Sequence, residues 1–388
     1  MNIVFLTLGY PTDINSRNLY TDLMTSFVQL GHSVTVYVQD EIGNKKEQVS
    51  NTGVSVVPIF TGTVTKTSFI KKGINLLLLE NRFYKTIQKY QKKSIDLLMY
   101  STPPITFCGV AKKLKKRFNC KNYLLLKDIF PQNAVDLKIF SSKSLFYYYF
   151  RNKEKKLYAY SDYIGCMSPA NVRYIKEHNK GLDYKVCVSP NCIIPSKVQN
   201  LQMQHNGVRL IYGGNLGKPQ GISFIIECCK IIEQFENVEF TIVGSGTEYP
   251  RLEKAIKDFQ LTHTKLLQFL PKPEYLKLII EQDMGMIFLD EAFSIPNFPS
   301  RVLDYMDMEL PVFACTDVNS DIKQEICDEG CGVWCKSGDT DAFRNTLDSI
   351  AKNKQSLILM RQKAHELLSK KYNAENEAKK ICQTVFGK

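Results

Sequence analysis

Residues 208–243, VRLIYGGNLGKPQGISFIIECCKIIEQFENVEFTIV, read as strand, glycine turn, helix and strand in one pass. Val208–Tyr212 is a short apolar run, and the turn 213–221 is rich in glycine. Ile222–Gln234 then repeats apolar residues at helical spacing, and Val238–Val243 gives the second strand. The N-terminus follows the same plan. Asn2–Leu8 predicts a strand, Gly9-Tyr10-Pro11 a loop, Asn18–Leu30 a helix ending at Gly31, and Ser33–Val38 a second strand. Two such βαβ openings predict an α/β protein of two doubly wound, parallel-sheet, Rossmann-like domains. Their ligand sites belong outside the carboxyl ends of the strands.

A chain of 388 residues suits two domains of middling size, and its 44% apolar and 23% charged residues are those of a folded protein. The reading places an N-terminal domain at 1–195, a linker at about 192–206 and a C-terminal domain at 205–368. A last helix from about 370 to 388 is expected to pack back on the first domain. Further strands are expected at Val54–Ile59, Asp96–Tyr100, Tyr123–Lys127, Tyr163–Met167 and Lys185–Val188 in the first half. Lys265–Leu270, Met284–Phe288 and Val312–Ala314 follow in the second. No apolar run reaches bilayer-spanning length, and apolar residues 3–6 lack the basic leader of a secretory signal, so a cytoplasmic protein is expected.

Residues 295–312, from Ile295 to Val312, hold the densest cluster of candidate ligand-binding groups. Pro296 and Pro299 stiffen the approach to a short helix that Ser300 can cap. Arg301 adds a permanent cation and Asp304 can accept hydrogen bonds from two hydroxyls, a combination suited to a ligand with a diphosphate and a sugar diol. Gly214, Asn215, Lys218 and Gln220 lie in the first glycine loop, and Gly244 and Gly246 in a second one after the next strand. Neither loop is a Rossmann fingerprint or a Walker loop, because spacing and the Lys-Ser/Thr pair are missing. Three turns at strand ends of one sheet nonetheless favour a nucleotide diphosphate site.

Twelve cysteines are scattered through apolar segments and read as reduced core residues. Cys327, Cys331 and Cys335 lack a fourth ligand and a nearby His, so no metal is expected. The net charge of +12 is uneven: residues 1–195 carry 28 Lys/Arg against 13 Asp/Glu, a balance of +15, whereas the remainder is at −3. Such a half fits an anionic partner or a solvated lysine-rich surface. Ile139–Tyr160 interleaves Phe146, Tyr147 and Tyr148 with Lys143, Arg151 and Lys153. That pattern fits an element lying on an anionic membrane surface, or aromatic residues packed on a core. Charge alone would allow nucleic acid, but no recognised module is present, and none is expected as partner.

The chain resembles the family-four glycosyltransferases of the GT-B fold, and within them the capsule and O-antigen branch. The carriers are Gly9-Tyr10-Pro11, Gly31-His32-Ser33-Val34, Asp128-Ile129-Phe130-Pro131, Ser189-Pro190-Asn191, Tyr212–Gly217, Ile242–Gly246 and Pro299-Ser300-Arg301 with Asp304-Tyr305. The resemblance implies two domains facing across a cleft, with a nucleotide sugar on the second. Asp304 takes the place of the second glutamate of the Glu-(x)7-Glu motif and would hold the ribose. The first glutamate falls at Pro296, and the loop cations of many relatives are replaced by Asn215 and Gln220. Diphosphate charge would then fall to Arg301, with Lys218 as a weaker candidate. Asp128 stands where many relatives place a catalytic His; it reads as a contact to acceptor or sugar, or as a strand-end cap. Ser16, Arg17, Phe146, Tyr147, Tyr148 and Arg151 are assigned to the acceptor and membrane side.

The expected function is transfer of a sugar from a nucleotide-sugar donor, UDP rather than GDP, to a saccharide carried on a lipid diphosphate in surface polysaccharide assembly. The resemblance implies retention of configuration. No metal or cofactor is expected beyond the nucleotide sugar as co-substrate, and the enzyme would lie peripherally on the inner face of the plasma membrane. A sugar-nucleotide epimerase and a catalytically silent subunit are the rivals.

Overall fold

The structure, a computed structural model, describes residues 1–11, 16–62, 69–197 and 205–387, without the side chains of 69–77. The chain divides into two compact units, Met1–Ile194 with Asn373–Lys388, and Pro195–Tyr372. In the first unit the strands are β1 (Asn2–Thr7), β2 (Ser33–Asp40), β3 (Gln48–Val49), β4 (Ser55–Phe60), β5 (Leu97–Ser101), β6 (Lys121–Leu126), β7 (Tyr163–Cys166) and β8 (Val186–Val188). They form one sheet in the order β3-β4-β2-β1-β5-β6-β7-β8, parallel except for the short β3. The second unit carries β9 (Val208–Asn215), β10 (Val238–Ser245), β11 (Thr264–Leu267), β12 (Met284–Phe288), β13 (Val312–Thr316) and β14 (Gly332–Lys336), in the parallel order β11-β10-β9-β12-β13-β14. In both sheets the order reverses beside the first strand, the topological switch where α/β folds place their ligands.

The strands are apolar on both faces because helices cover both faces. Phe5, Leu6, Leu97, Leu98 and Met99 are essentially inaccessible, as are Leu210, Ile211, Met286 and Ile287. Local chemistry sets the helix starts. Asn18 opens the helix Leu19–Gln29 by accepting from the amides of Tyr20 and Thr21, while Thr21 Oγ1 accepts from the Asn18 amide. Ser168 caps Pro169–His178 by accepting from the Asn171 amide, with Pro at the first position.

Several elements depart from the sequence reading. β14 was not among the expected strands; its Gly332 packs so closely that a Cβ would fall 2.3 Å from the Val312 carbonyl. β9 and β10 run on through Gly213-Gly214 and Gly244-Ser245, so part of each expected loop is strand, in register Gly244 to Gly214. Of the expected linker, Cys192 and Ile193 are buried in the first unit, where Ile193 bridges to Asn373; residues 198–204 lie outside the described residues. The helix Ala374–Phe386 packs in the first unit against Leu19–Gln29, whereas Ser356–Lys371 belongs to the second.

Candidate functional site

In the second unit a cavity of about 360 Å³ opens at the carboxyl ends of β9 and β10. Its walls are the backbone of Gly213, Gly214 and Gly244, the loop residues Phe269 and Leu270, and the side chains of Lys272, Tyr275, Arg301 and Asp304. The glycines are there for space. A Cβ on Gly213 would overlap the Tyr275 hydroxyl, one on Gly244 the Gly214 carbonyl, and one on Gly214 would sit 2.8 Å from the Arg301 guanidinium. Gly214 also has φ +146°, which a side chain would strain.

Arg301 lies over the Tyr212 ring at 4.5 Å, and its Nη1 is buried without a hydrogen-bond partner. Burial opposes its charge, but Tyr212 and Tyr305 outweigh this and keep the guanidinium firmly protonated. Tyr305, on the same helix Arg301–Asp307, accepts from the Gly213 amide at 3.2 Å and donates towards the carbonyls of Met286 and Ile211. Burial pushes that phenol up to about 12, so it stays neutral. The arrangement leaves one guanidinium nitrogen and a floor of bare backbone, a setting for an anion.

Asp304 forms an ion pair with Lys272 at 2.9 Å, both partly exposed. Lys272 was absent from the sequence reading; its only signal was its place, just after Pro271 at a helix start beyond a strand. Ser300 is exposed, borders the cavity and makes no side-chain cap to the helix, which corrects the expected capping role. Asn215 and Gln220 bond each other: Gln220 Oε1 accepts from Asn215 Nδ2 and from the Gly217 amide, each at 3.1 Å. Lys218 is exposed on the turn Lys218–Gln220, outside the cavity lining. Gly246 packs where a Cβ would fall 2.2 Å from the Leu216 carbonyl, joining the two loops. Pro296 is buried.

The first unit has a larger cavity, about 1030 Å³, at the carboxyl ends of β1, β2 and β5. Asp128 faces it with Tyr10, Tyr20, Ile105, Phe130 and Phe150. Its Oδ1 accepts from Asn133 Nδ2 at 2.6 Å, and its amide donates to Thr102 Oγ1 at 3.2 Å. Burial lifts the Asp128 carboxyl to about 6, against the opposing hydrogen bond from Asn133. Asp128 is therefore a carboxyl able to change protonation near neutrality.

The remaining residues assigned to that side divide in two. Arg17 grips Asp22 with Nε and Nη2, at 3.2 and 2.8 Å, and donates to the Ile194 carbonyl, so its guanidinium ties the first helix to Ile194; Ser16 is its partly buried neighbour. Arg151 is engaged with Glu154, the His178 carbonyl and Asn179. Phe146 and Tyr148, by contrast, are 60% and 61% exposed on the helix Leu145–Tyr160, beside Leu145 at 87% and half-exposed Tyr149. Tyr147 is partly buried and meets Tyr148 edge to face. Among the described residues no three His, Cys, Asp or Glu are grouped to hold a metal, and no helix is long and apolar enough to cross a membrane. Cys327 is exposed while Cys331 and Cys335 are buried.

Residues 195–367 match the family described as "Glycosyl transferases group 1". That match spans nearly the whole of the second unit. The probable glycosyltransferase WbjE of Pseudomonas aeruginosa is 22% identical over 264 residues, 66% of this chain and 66% of that protein. The chain thus spans just under two thirds of that relative's length. Sucrose-phosphate synthase from Thermosynechococcus elongatus superposes with a TM-score of 0.76 at 15% identity, over 99% of this chain and 98% of the other. Anabaena HepE in complex with UDP gives 0.68 at 15%, over the full length of both. These likenesses fix the fold as GT-B.

Proposed function

We propose that this group 1 domain, with its N-terminal partner unit, makes the protein a glycosyltransferase that takes a sugar from a UDP-sugar and passes it to a saccharide carried on a lipid diphosphate. The observation that carries the reading is the cavity where Arg301 Nη1 lacks a partner beneath Gly214, with Asp304 on the same helix. A diphosphate supplies the acceptor oxygens that the guanidinium lacks, and a ribose supplies hydroxyls for the Asp304 carboxylate. That HepE is held with UDP supports UDP as the nucleotide.

In the reaction the bond from the anomeric carbon to the diphosphate breaks and an acceptor oxygen takes its place. Negative charge grows on the leaving diphosphate, and Arg301, already charged and enclosed, stabilises it without reorganising; one such donor is typically worth about 3 kcal/mol. Asp128 serves as the acceptor-side carboxylate, ionised above about pH 6. Retention of configuration and a role in capsule or O-antigen assembly follow the family resemblance. The exposed Phe146 and Tyr148, with exposed Lys143, Lys155 and Lys156, suit contact with an anionic membrane from the cytoplasmic side.

Washed membranes mixed with the protein and labelled UDP-sugars test this directly. Lipid-soluble label supports the transferase. A converted free sugar nucleotide would instead indicate an epimerase, and no product a silent subunit.

A further inference from the structure

The cavity of the second unit is lined, among the described residues, by two cations and one carboxylate: Arg301, Lys272 and Asp304. Their commitments differ. Arg301 lies between Tyr212 and Gly214 and keeps Nη1 without a partner. Lys272 Nζ instead donates to Asp304 Oδ1 at 2.9 Å, and the two side chains remain 42% and 31% exposed. Ion pairs as open as this contribute little to stability, because water screens the charges and two flexible side chains must be held still. The pair is therefore easily exchanged for a better partner.

The scaffold holds the Lys272 backbone and leaves its side chain to move. Lys272 opens the helix Lys272–Ile280 between Pro271 and Pro273, whose rings fix the chain at that point. One turn on, the Tyr275 hydroxyl donates to that of Tyr305 at 3.4 Å, which ties this helix to the one that carries Arg301 and Asp304. The ammonium thus hangs on a flexible four-carbon stem from a fixed place beside Asp304. The first glycine loop supplies no competing cation, since Asn215 and Gln220 bond each other and Lys218 lies outside the cavity lining.

We propose that Lys272 changes partners as the donor binds: it lets go of Asp304, which takes the ribose hydroxyls, and turns to the diphosphate as its second cation. The proposal rests on the UDP-sugar reading above. A diphosphate brings more negative charge than Arg301 alone balances, and it offers an ammonium several oxygens in place of one. Asp304, once released, has both oxygens for hydroxyls, so the exchange leaves no charged group unmatched. Recognition of the two halves of the donor is thereby coupled. A nucleoside without phosphates must compete with Lys272 for Asp304, whereas a diphosphate draws the competitor away.

Calorimetry of the full-length protein with UDP, and with uridine by displacement, tests it. Lys272→Met keeps the stem and removes the charge. UDP affinity should fall roughly tenfold or more, the usual scale for a lost bond to a charged group, while uridine binds at least as tightly as to the wild type because Asp304 is no longer occupied. Opposite responses to the two ligands cannot come from misfolding. Lys272→Arg, which retains a cation, should recover most of the UDP affinity. Equal loss for UDP and uridine would overturn the proposal, since Lys272 would then only prop Asp304, and so would unchanged UDP affinity. In both of those cases a wild type that binds UDP leaves the donor reading standing. A wild type that binds no UDP would sink the donor reading and the exchange with it.

Discussion

Replacing Asp128 with Asn should stabilise the protein, and increasingly so as pH rises. The wild-type carboxyl is lifted from 3.8 to about 6, chiefly by burial. A folded pKa above the unfolded one means that the fold favours the protonated acid. That stability is fully present below about pH 4 and is lost as pH rises through about 6. A shift near two units, at 1.36 kcal/mol each, corresponds to about 3 kcal/mol at most, and we expect about 2 because the residue retains some exposure. Asn keeps the Oδ1 that accepts from Asn133 at 2.6 Å and removes the ionisable group. The assay is urea titration of wild type and Asp128→Asn at pH 4, 6 and 8, read by hydrogen exchange at the amides of Lys121–Leu126, the strand that leads to Asp128. The difference should start near zero at pH 4 and grow to about 2 kcal/mol by pH 8, with glycosyl transfer lost throughout. A difference that does not change with pH would refute the reasoning, since it would mean that the carboxyl carries no burial penalty.

Other outcomes concern the second unit. Asp304→Ala should weaken UDP binding by about 1–3 kcal/mol in calorimetry, the cost of leaving polar partners unmatched; unchanged affinity would remove Asp304 from the ribose. Gly214→Ala places a methyl group 2.8 Å from the Arg301 guanidinium at a φ of +146°, so UDP affinity should drop roughly tenfold while circular dichroism holds. Asp283→Ala should cost about 3–5 kcal/mol in urea unfolding. That fully buried carboxylate faces Lys354 at 3.4 Å, Arg361 at 3.9 Å and His205 at 3.6 Å, and accepts from the Arg209 amide, so its loss leaves buried Arg361 and half-buried Lys354 without a counter-charge.

The doubly wound architecture was legible because parallel strands are read from local order: an apolar run, a turn and an amphipathic helix, repeated. Met284–Phe288 was predicted to the residue, since a strand buried on both faces is apolar throughout. β14 was missed because its one glycine, Gly332, is set by close packing against the Val312 carbonyl of the neighbouring strand, twenty residues earlier. Arg301 and Asp304 could be singled out because they share a turn of helix beside prolines. What they do there was not legible, since the empty bonding capacity of Arg301 depends on Tyr212 and Gly214, some ninety residues away.

Sequence alone therefore determined the class of fold, the two βαβ openings and the arc 295–304, all properties of neighbouring residues and their periodicity. Tertiary structure alone decided that Lys272 pairs with Asp304, that Asn215 and Gln220 satisfy each other, that Arg17 and Arg151 are tied into the scaffold, and that Asp128 faces an apolar cavity. Those outcomes depend on which groups meet across the ends of a sheet, and on how much water is left between them; periodicity along the chain carries neither.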